Sequence, residues 1–212
     1  LDYPEATLHG IISLLTDEQY RRDVVTHIQD DLVKRFFEYE FDDWKHKFEA
    51  DSVTPIVNQI KKFLAIPAMR NIFVQQENKL DFNDIISHHG IVLINLARIA
   101  IGEQNAYILG SLIMHTIRHA GLTRADNPDD MRNNFYLYLY EFHTMMPGSL
   151  MNLFSEGRKY GFAITVAHQY IAQLDSTVLA TVLGNVGTII VFRVSGEDAE
   201  KFEAEMTPVF KA

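Results

Sequence analysis

The chain carries two different patterns of apolar and polar positions, and the change falls near Gly90. Up to Gln76, apolar side chains recur at steps of three to five between charged positions, which predicts amphipathic helices. After Gly90, short runs that are apolar throughout alternate with longer amphipathic stretches, which predicts buried strands alternating with helices. We therefore expect a helical subdomain over residues 1–89 and an α/β region over residues 90–212.

Local signals place helix ends in the first half. Thr16 is expected to cap a helix, because a threonine hydroxyl can accept from free backbone N–H groups at a helix start. Pro55 suits the first turn of a later helix, and Pro67 ends that helix. An aromatic stripe on one helical face predicts a packed core; it consists of Phe36, Phe37, Phe41, Trp44 and Phe48.

The second half predicts four β–α units. The expected strands are residues 91–96, 135–140, 162–167 and 187–194, and the expected helices are residues 103–124, 149–159, 176–183 and 197–206. Short connections between such units predict a mostly parallel sheet with helices on both faces, that is, an α/β fold in three layers with right-handed crossovers.

Ligands of such sheets bind at the carboxyl ends of the strands, so the residues that follow each apolar run are the candidates for chemistry. Glu141 directly follows the second run. Nucleotide hydrolases place an Asp-Glu pair at such a point, where Asp serves Mg²⁺ and Glu polarises the attacking water. Here the pair is Tyr140-Glu141, so the acid on the metal side is lacking. A glutamate at a strand end is otherwise a solvated loop residue.

Two further residues have both a structural and a functional interpretation. Arg158 lies in the last turn of a predicted helix before Gly161, where a cation stabilises the helix end, or it offers a guanidinium to phosphates across a subunit boundary. Gln169 follows the third run, where a glutamine can orient water or sense a γ-phosphate, although a loop amide there is also ordinary.

Composition excludes several classes of protein. The 212 residues include 19 Lys+Arg and 28 Asp+Glu, a net charge of −9, so the chain is not a polybasic nucleic-acid binder. The absence of cysteine excludes disulfides, thiolate zinc sites and cysteine nucleophiles. No run of about 20 apolar residues is present, so no membrane-spanning helix is expected.

The histidines do not predict a metal site. His88 and His89 are adjacent and cannot share a helical face, whereas His115 and His119 lie four apart without the glutamate of a zinc protease motif. A metal-dependent hydrolase is therefore the weakest of the alternatives, because no third convergent ligand is evident. Gly-x-Ser-x-Gly and Gly-x-Gly-x-x-Gly are both missing from the sequence.

Taken together, several segments resemble the conjugative DNA-transfer ATPases, the coupling proteins of type IV secretion (TraG/TraD type). These belong to the FtsK/HerA branch of RecA-like P-loop motors. The resemblance implies a RecA-like core over residues 90–212 and the family's helical insertion over residues 1–89. It is carried in order by residues 135–141, 155–161, 167–174, 183–194 and 196–199.

The resemblance also implies roles, a cofactor and partners. Glu141 matches the catalytic glutamate, Arg158 the arginine finger and Gln169 the sensor glutamine, while Tyr140 stands at the position of the Mg²⁺-binding aspartate. Members hydrolyse ATP with Mg²⁺ as hexamers. They move single-stranded DNA or a relaxase–DNA complex to secretion-channel components, at the cytoplasmic face of the bacterial inner membrane. This chain itself is expected to be soluble and cytoplasmic.

Two departures from the family limit these implications. The chain contains no Gly-x-x-x-x-Gly-Lys-Ser/Thr, the loop that cradles the phosphates, and the phenol of Tyr140 cannot replace a carboxylate on Mg²⁺ at neutral pH. We expect a piece of an ATP-driven, DNA-translocating coupling protein whose phosphate loop precedes Leu1, and we expect the chain alone neither to bind ATP tightly nor to hydrolyse it. The alternative is a catalytically dead RecA-like scaffold or interaction module.

Overall fold

The computed structural model describes residues 3–4, 6–124, 133–145 and 148–206. The chain divides into two compact units, Leu1–Leu80 and Asp81–Ala212. This division falls nine residues before the boundary predicted at Gly90.

The described part of the first unit is helical. Its α-helices are α1 (Leu8–Thr16), α2 (Glu18–His27), α3 (Asp31–Arg35), α4 (Phe41–Phe48), α5 (Thr54–Leu64) and α6 (Pro67–Phe73), with π-helical turns at Phe36–Glu40 and Glu49–Val53. The predicted cap at Thr16 is wrong by one residue. Asp17 caps α2, because its carboxylate accepts from the backbone N–H groups of Gln19 and Tyr20 at 2.9 and 3.1 Å. Thr16 still belongs to α1, and its hydroxyl donates to the carbonyl of Ile12.

A buried arginine organises the core of this unit. The guanidinium of Arg21 donates to the carbonyl of Leu14 and to the carboxylate of Asp42, both at 3.0 Å. It also lies 4.6 Å from the ring centroid of Phe41, which is fully buried. The predicted aromatic stripe therefore contributes Phe41 to the core, whereas Phe48 at its end is exposed.

The second unit contains α7 (Phe82–Ser87), α8 (Arg98–Ile101), α9 (Glu103–Leu122), β1 (Phe135–Tyr140), α10 (Gly148–Glu156), β2 (Phe162–Ala167), α11 (Ser176–Asn185) and α12 (Gly196–Met206). Short 3₁₀ helices follow β1 at Phe142–Met145, precede β2 at Gly157–Tyr160 and follow β2 at Ile171–Gln173. In neither unit is any described helix long and apolar enough to cross a membrane.

The predicted mostly parallel, three-layer, RecA-like sheet is wrong. The structure is 67% helical, and among the residues it describes the sheet consists of β1 and β2, paired in parallel from Phe135↔Phe162 to Tyr140↔Ala167. Residues 91–96 and 187–194 form no strand, and Leu93 and Phe192 are 93% and 86% exposed. An apolar run indicates a tendency to be buried, but a strand also needs a neighbouring strand to pair its backbone groups. Residues 91–96 and 187–194 lack that ladder.

Helices pack around the two strands and hold their register. Leu137 and Leu139 of β1 and Phe162 of β2 lie in one core with side chains of α7, α9, α10 and α11. Gly121 of α9 lets the helix approach β2 closely, since a Cβ at this position would lie 2.1 Å from Cε2 of Phe162.

We expect Gly121→Ala to destabilise the protein by about 1–3 kcal/mol, because the added methyl group must displace a buried ring. Gly184→Ala is the matched control: Gly184 lies in α11, and its added Cβ meets nothing within 4 Å. Alanine is the better helix former, so this variant should gain up to about 1 kcal/mol. Chemical denaturation of both variants measures the difference. Equal shifts would contradict the close packing of α9 on β2.

Candidate functional site

The parallel pairing of β1 and β2 brings together the residues that follow the two strands. Tyr140 is the register partner of Ala167, and the backbone N–H of Glu141 donates to the carbonyl of Ala167 at 3.0 Å. Glu141 and His168 are therefore neighbours at the carboxyl edge of the sheet.

Glu141 turns the chain sharply as β1 ends. Its φ of +52° is in the left-handed region, which is uncommon for a residue with a Cβ. This turn leads directly into the 3₁₀ helix Phe142–Met145, which carries His143. Consequently the carboxylate of Glu141 is close to two imidazoles: its Oε2 lies 3.4 Å from Nδ1 of His143 and 4.0 Å from Nδ1 of His168.

These three side chains form a cluster that is mostly shielded from solvent. The side chains of Glu141, His143 and His168 are 18%, 21% and 11% exposed, and the two imidazole centroids lie 5.0 Å apart. Within the described residues, Nδ1 of His143 and both ring nitrogens of His168 have no hydrogen-bond partner. Buried nitrogens in this state are uncommon in folded proteins, where a bound water, ion or other ligand completes their hydrogen bonding or coordination.

The surroundings of His143 lower the pKa of its imidazole. Burial lowers the pKa of His143 below its ordinary value of 6.5, and the neighbouring His168 and Arg98 lower it further, while Glu141 opposes them. A neutral imidazole offers a nitrogen lone pair, which a protonated imidazole lacks.

The structure brings three of the four predicted site residues together. Gln169 lies two residues beyond the end of β2, and its amide Nε2 donates to the phenol oxygen of Tyr140 at 3.3 Å. Arg158 lies apart from them, exposed in the 3₁₀ helix before β2. The six residues of β2 span roughly 20 Å, so Arg158 is at the opposite end of the sheet. Gly161 ends that 3₁₀ helix at φ +77°, as the capping interpretation predicts.

Sequence reasoning missed the histidine cluster. The search for candidate metal ligands centred on His88, His89, His115 and His119, but the group that converges among the described residues is Glu141, His143 and His168. The signal was present in the sequence, since both histidines follow apolar runs within three residues. These positions predict a shared site only when the two runs are known to form adjacent parallel strands.

Two clefts flank this edge of the sheet. One is lined by β1, Glu141 and the extended segment 91–97, and the other by His168, Gln169 and the segment 188–195. Glu141 belongs to one cleft and His168 to the other, so the cluster can be reached by small solutes.

The comparisons with known proteins gave no match: no family model, curated protein or solved structure is similar to this chain.

The left-handed turn gives a direct test of the geometry around Glu141. Glycine adopts a positive φ without steric cost, so we expect Glu141→Gly to be more stable than Glu141→Ala by about 1 kcal/mol. Both variants lose the same carboxylate, and only the backbone preference differs. The control pair is Glu200→Gly and Glu200→Ala in α12, where alanine should be favoured by about 1 kcal/mol. Thermal denaturation checks the two signs, and the same preference at both positions would contradict the turn.

Proposed function

We propose that the chain is part of an ATP-driven, DNA-translocating coupling protein of a conjugative type IV secretion system. The proposal rests on the resemblance of its segments to that family. The observation that supports it best is the position of Glu141 and Gln169: they are 28 positions apart in sequence, and both follow the carboxyl ends of two paired parallel strands. Nucleotide hydrolases bring a water-polarising acid and a water-orienting amide together in the same way.

Each residue has a distinct part in this proposal. The Glu141 carboxylate polarises the attacking water, and the Gln169 amide orients it. Arg158 is exposed at the far end of β2, so it would act on ATP bound by a neighbouring subunit of a hexamer. The phosphate loop has to come from outside these 212 residues, because the sequence has no Gly-x-x-x-x-Gly-Lys-Ser/Thr, and the carboxylate for Mg²⁺ has to come from a residue other than Tyr140, which offers a phenol.

A second candidate is an interaction module without catalysis. Tyr140 in place of a metal-binding acid favours it, and so do the exposed apolar side chains Leu93, Ile190 and Phe192. Ile190 and Phe192 lie two positions apart in the segment 188–195, and exposed apolar side chains that lie close together are typical of sites that bind another protein.

A transfer assay separates the two candidates. In a host that carries the gene on a conjugative element, deletion of the gene should abolish transfer and the wild-type gene should restore it. Loss of a general base slows a reaction by about 10²–10⁴-fold, so Glu141→Gln should lower the transfer frequency at least ~100-fold. The matched control is Glu200→Gln on the exposed surface of α12, which should restore transfer fully.

The other outcomes also decide between the candidates. If Glu141→Gln restores transfer as well as wild type, catalysis at Glu141 is contradicted and the interaction module is favoured. If deletion leaves transfer unchanged, both versions of a coupling role are contradicted. Immunoblotting for equal protein levels ensures that a loss of transfer reflects the substitution.

A further inference from the structure

We propose that Glu141, His143 and His168 form a binding site for one divalent transition-metal ion of the zinc class. The inference is independent of the proposed function, because it concerns the ion alone and needs neither nucleotide nor DNA.

The geometry of the cluster fits such an ion. One ligand atom from each of the three side chains lies within 4.8 Å of the other two. Zinc binds imidazole nitrogen and carboxylate oxygen at about 2.0–2.2 Å in tetrahedral sites, which places two ligand atoms roughly 3.4 Å apart. The contact from Glu141 to His143 is already 3.4 Å, and the contact to His168 at 4.0 Å would have to shorten by only about half an ångström to reach that spacing.

The chemistry of the donors selects the class of metal. Mg²⁺ and Ca²⁺ prefer oxygen ligands, whereas two imidazoles with one carboxylate suit zinc, iron and cobalt. Three protein ligands leave one position of a tetrahedral ion for water, as in catalytic rather than structural zinc sites.

Burial supplies a second argument for a ligand. His168 is 11% exposed, its ring packs edge-on against Phe142 with centroids 5.4 Å apart, and neither of its ring nitrogens has a hydrogen-bond partner among the described residues. Leaving a polar atom desolvated and unbonded costs free energy, and coordination to an ion would recover that cost. The flanking clefts give the ion a route to the cluster.

Arg98 is a positively charged residue near the cluster, so its replacement gives a variant that should bind the metal ion more tightly. Arg98 lines the same cleft as Glu141, and its guanidinium pairs with the carboxylate of Glu103 at 2.8 Å. Replacing Arg98 by a neutral residue should reduce the electrostatic repulsion of a divalent ion. We expect Arg98→Gln to raise the affinity for Co²⁺ and Zn²⁺ by a few-fold.

Metal titration of the chelator-treated chain tests the proposal. Co²⁺ should bind with one-to-one stoichiometry and give visible d–d absorption, and Zn²⁺ should displace it. His143→Gln and His168→Gln should each weaken Co²⁺ binding at least ~10-fold, since each removes one of three protein ligands. The matched control is His88→Gln, because His88 pairs with Asp84 on α7 and lies outside the cluster, and its affinity should equal that of wild type.

A measurement on the wild-type chain tests the proposal even if the variants fail to fold. Circular dichroism identifies such variants, and X-ray absorption of the zinc-loaded wild type should then show two imidazoles in the first shell. The proposal is overturned if the wild type binds no Co²⁺ or Zn²⁺, if His143→Gln and His168→Gln bind as tightly as wild type, or if the first shell lacks histidine. These results leave the transfer assay with Glu141→Gln unaffected, so the two proposals can fail separately.

Discussion

The parallel pairing of β1 with β2 is the interaction on which the second unit depends. Six residues from each strand pair in one register, and the backbone N–H of Glu141 extends the ladder by one hydrogen bond beyond β1. A parallel pair places both carboxyl ends at the same edge. A shift of the register by one residue would exchange the faces of β2 and move His168 away from Glu141.

Packing and backbone conformation turn this pairing into a cluster. Gly121 lets α9 lie directly against Phe162, and the shared core fixes both strands against their helices. The left-handed conformation of Glu141 then changes the direction of the chain. The following 3₁₀ helix therefore brings His143 back toward the end of β1. Burial in this corner lowers the pKa of His143 and so favours its uncharged form.

Much of the local structure followed from the sequence. The predicted strands at residues 135–140 and 162–167 have the bounds of β1 and β2, and α9, α11 and α12 begin within one residue of their predicted starts. Short runs that are apolar throughout and helical periodicity are local signals, so they could be recognised in one chain. The sheet as a whole could not be predicted from the sequence. Residues 91–96 and 187–194 have the composition of strands, but among the residues that the structure describes they have no neighbouring strand to pair with.

The site was predictable only in part, for a related reason. Glu141 and Gln169 were predicted because each follows an apolar run, and parallel pairing places the carboxyl ends of the two runs at one edge of the sheet. The histidine cluster joins residues 25 positions apart and depends on a left-handed turn that no residue type at position 141 indicated. Arg158 was grouped with the site through the family resemblance, although it lies at the opposite end of β2.

Both proposals need Glu141 at the strand ends, but they use it differently, as a base for water or as a ligand for an ion. The metal site rests on one structural premise, the convergence of His143 and His168 beside Glu141. Nuclear Overhauser measurements on histidine-labelled protein test that premise most directly, with His143→Gln and His168→Gln serving to assign the signals. Centroids 5.0 Å apart predict a cross-peak between the two imidazoles in the metal-free chain. Its absence, while cross-peaks between β1 and β2 are present, would contradict the account of the site.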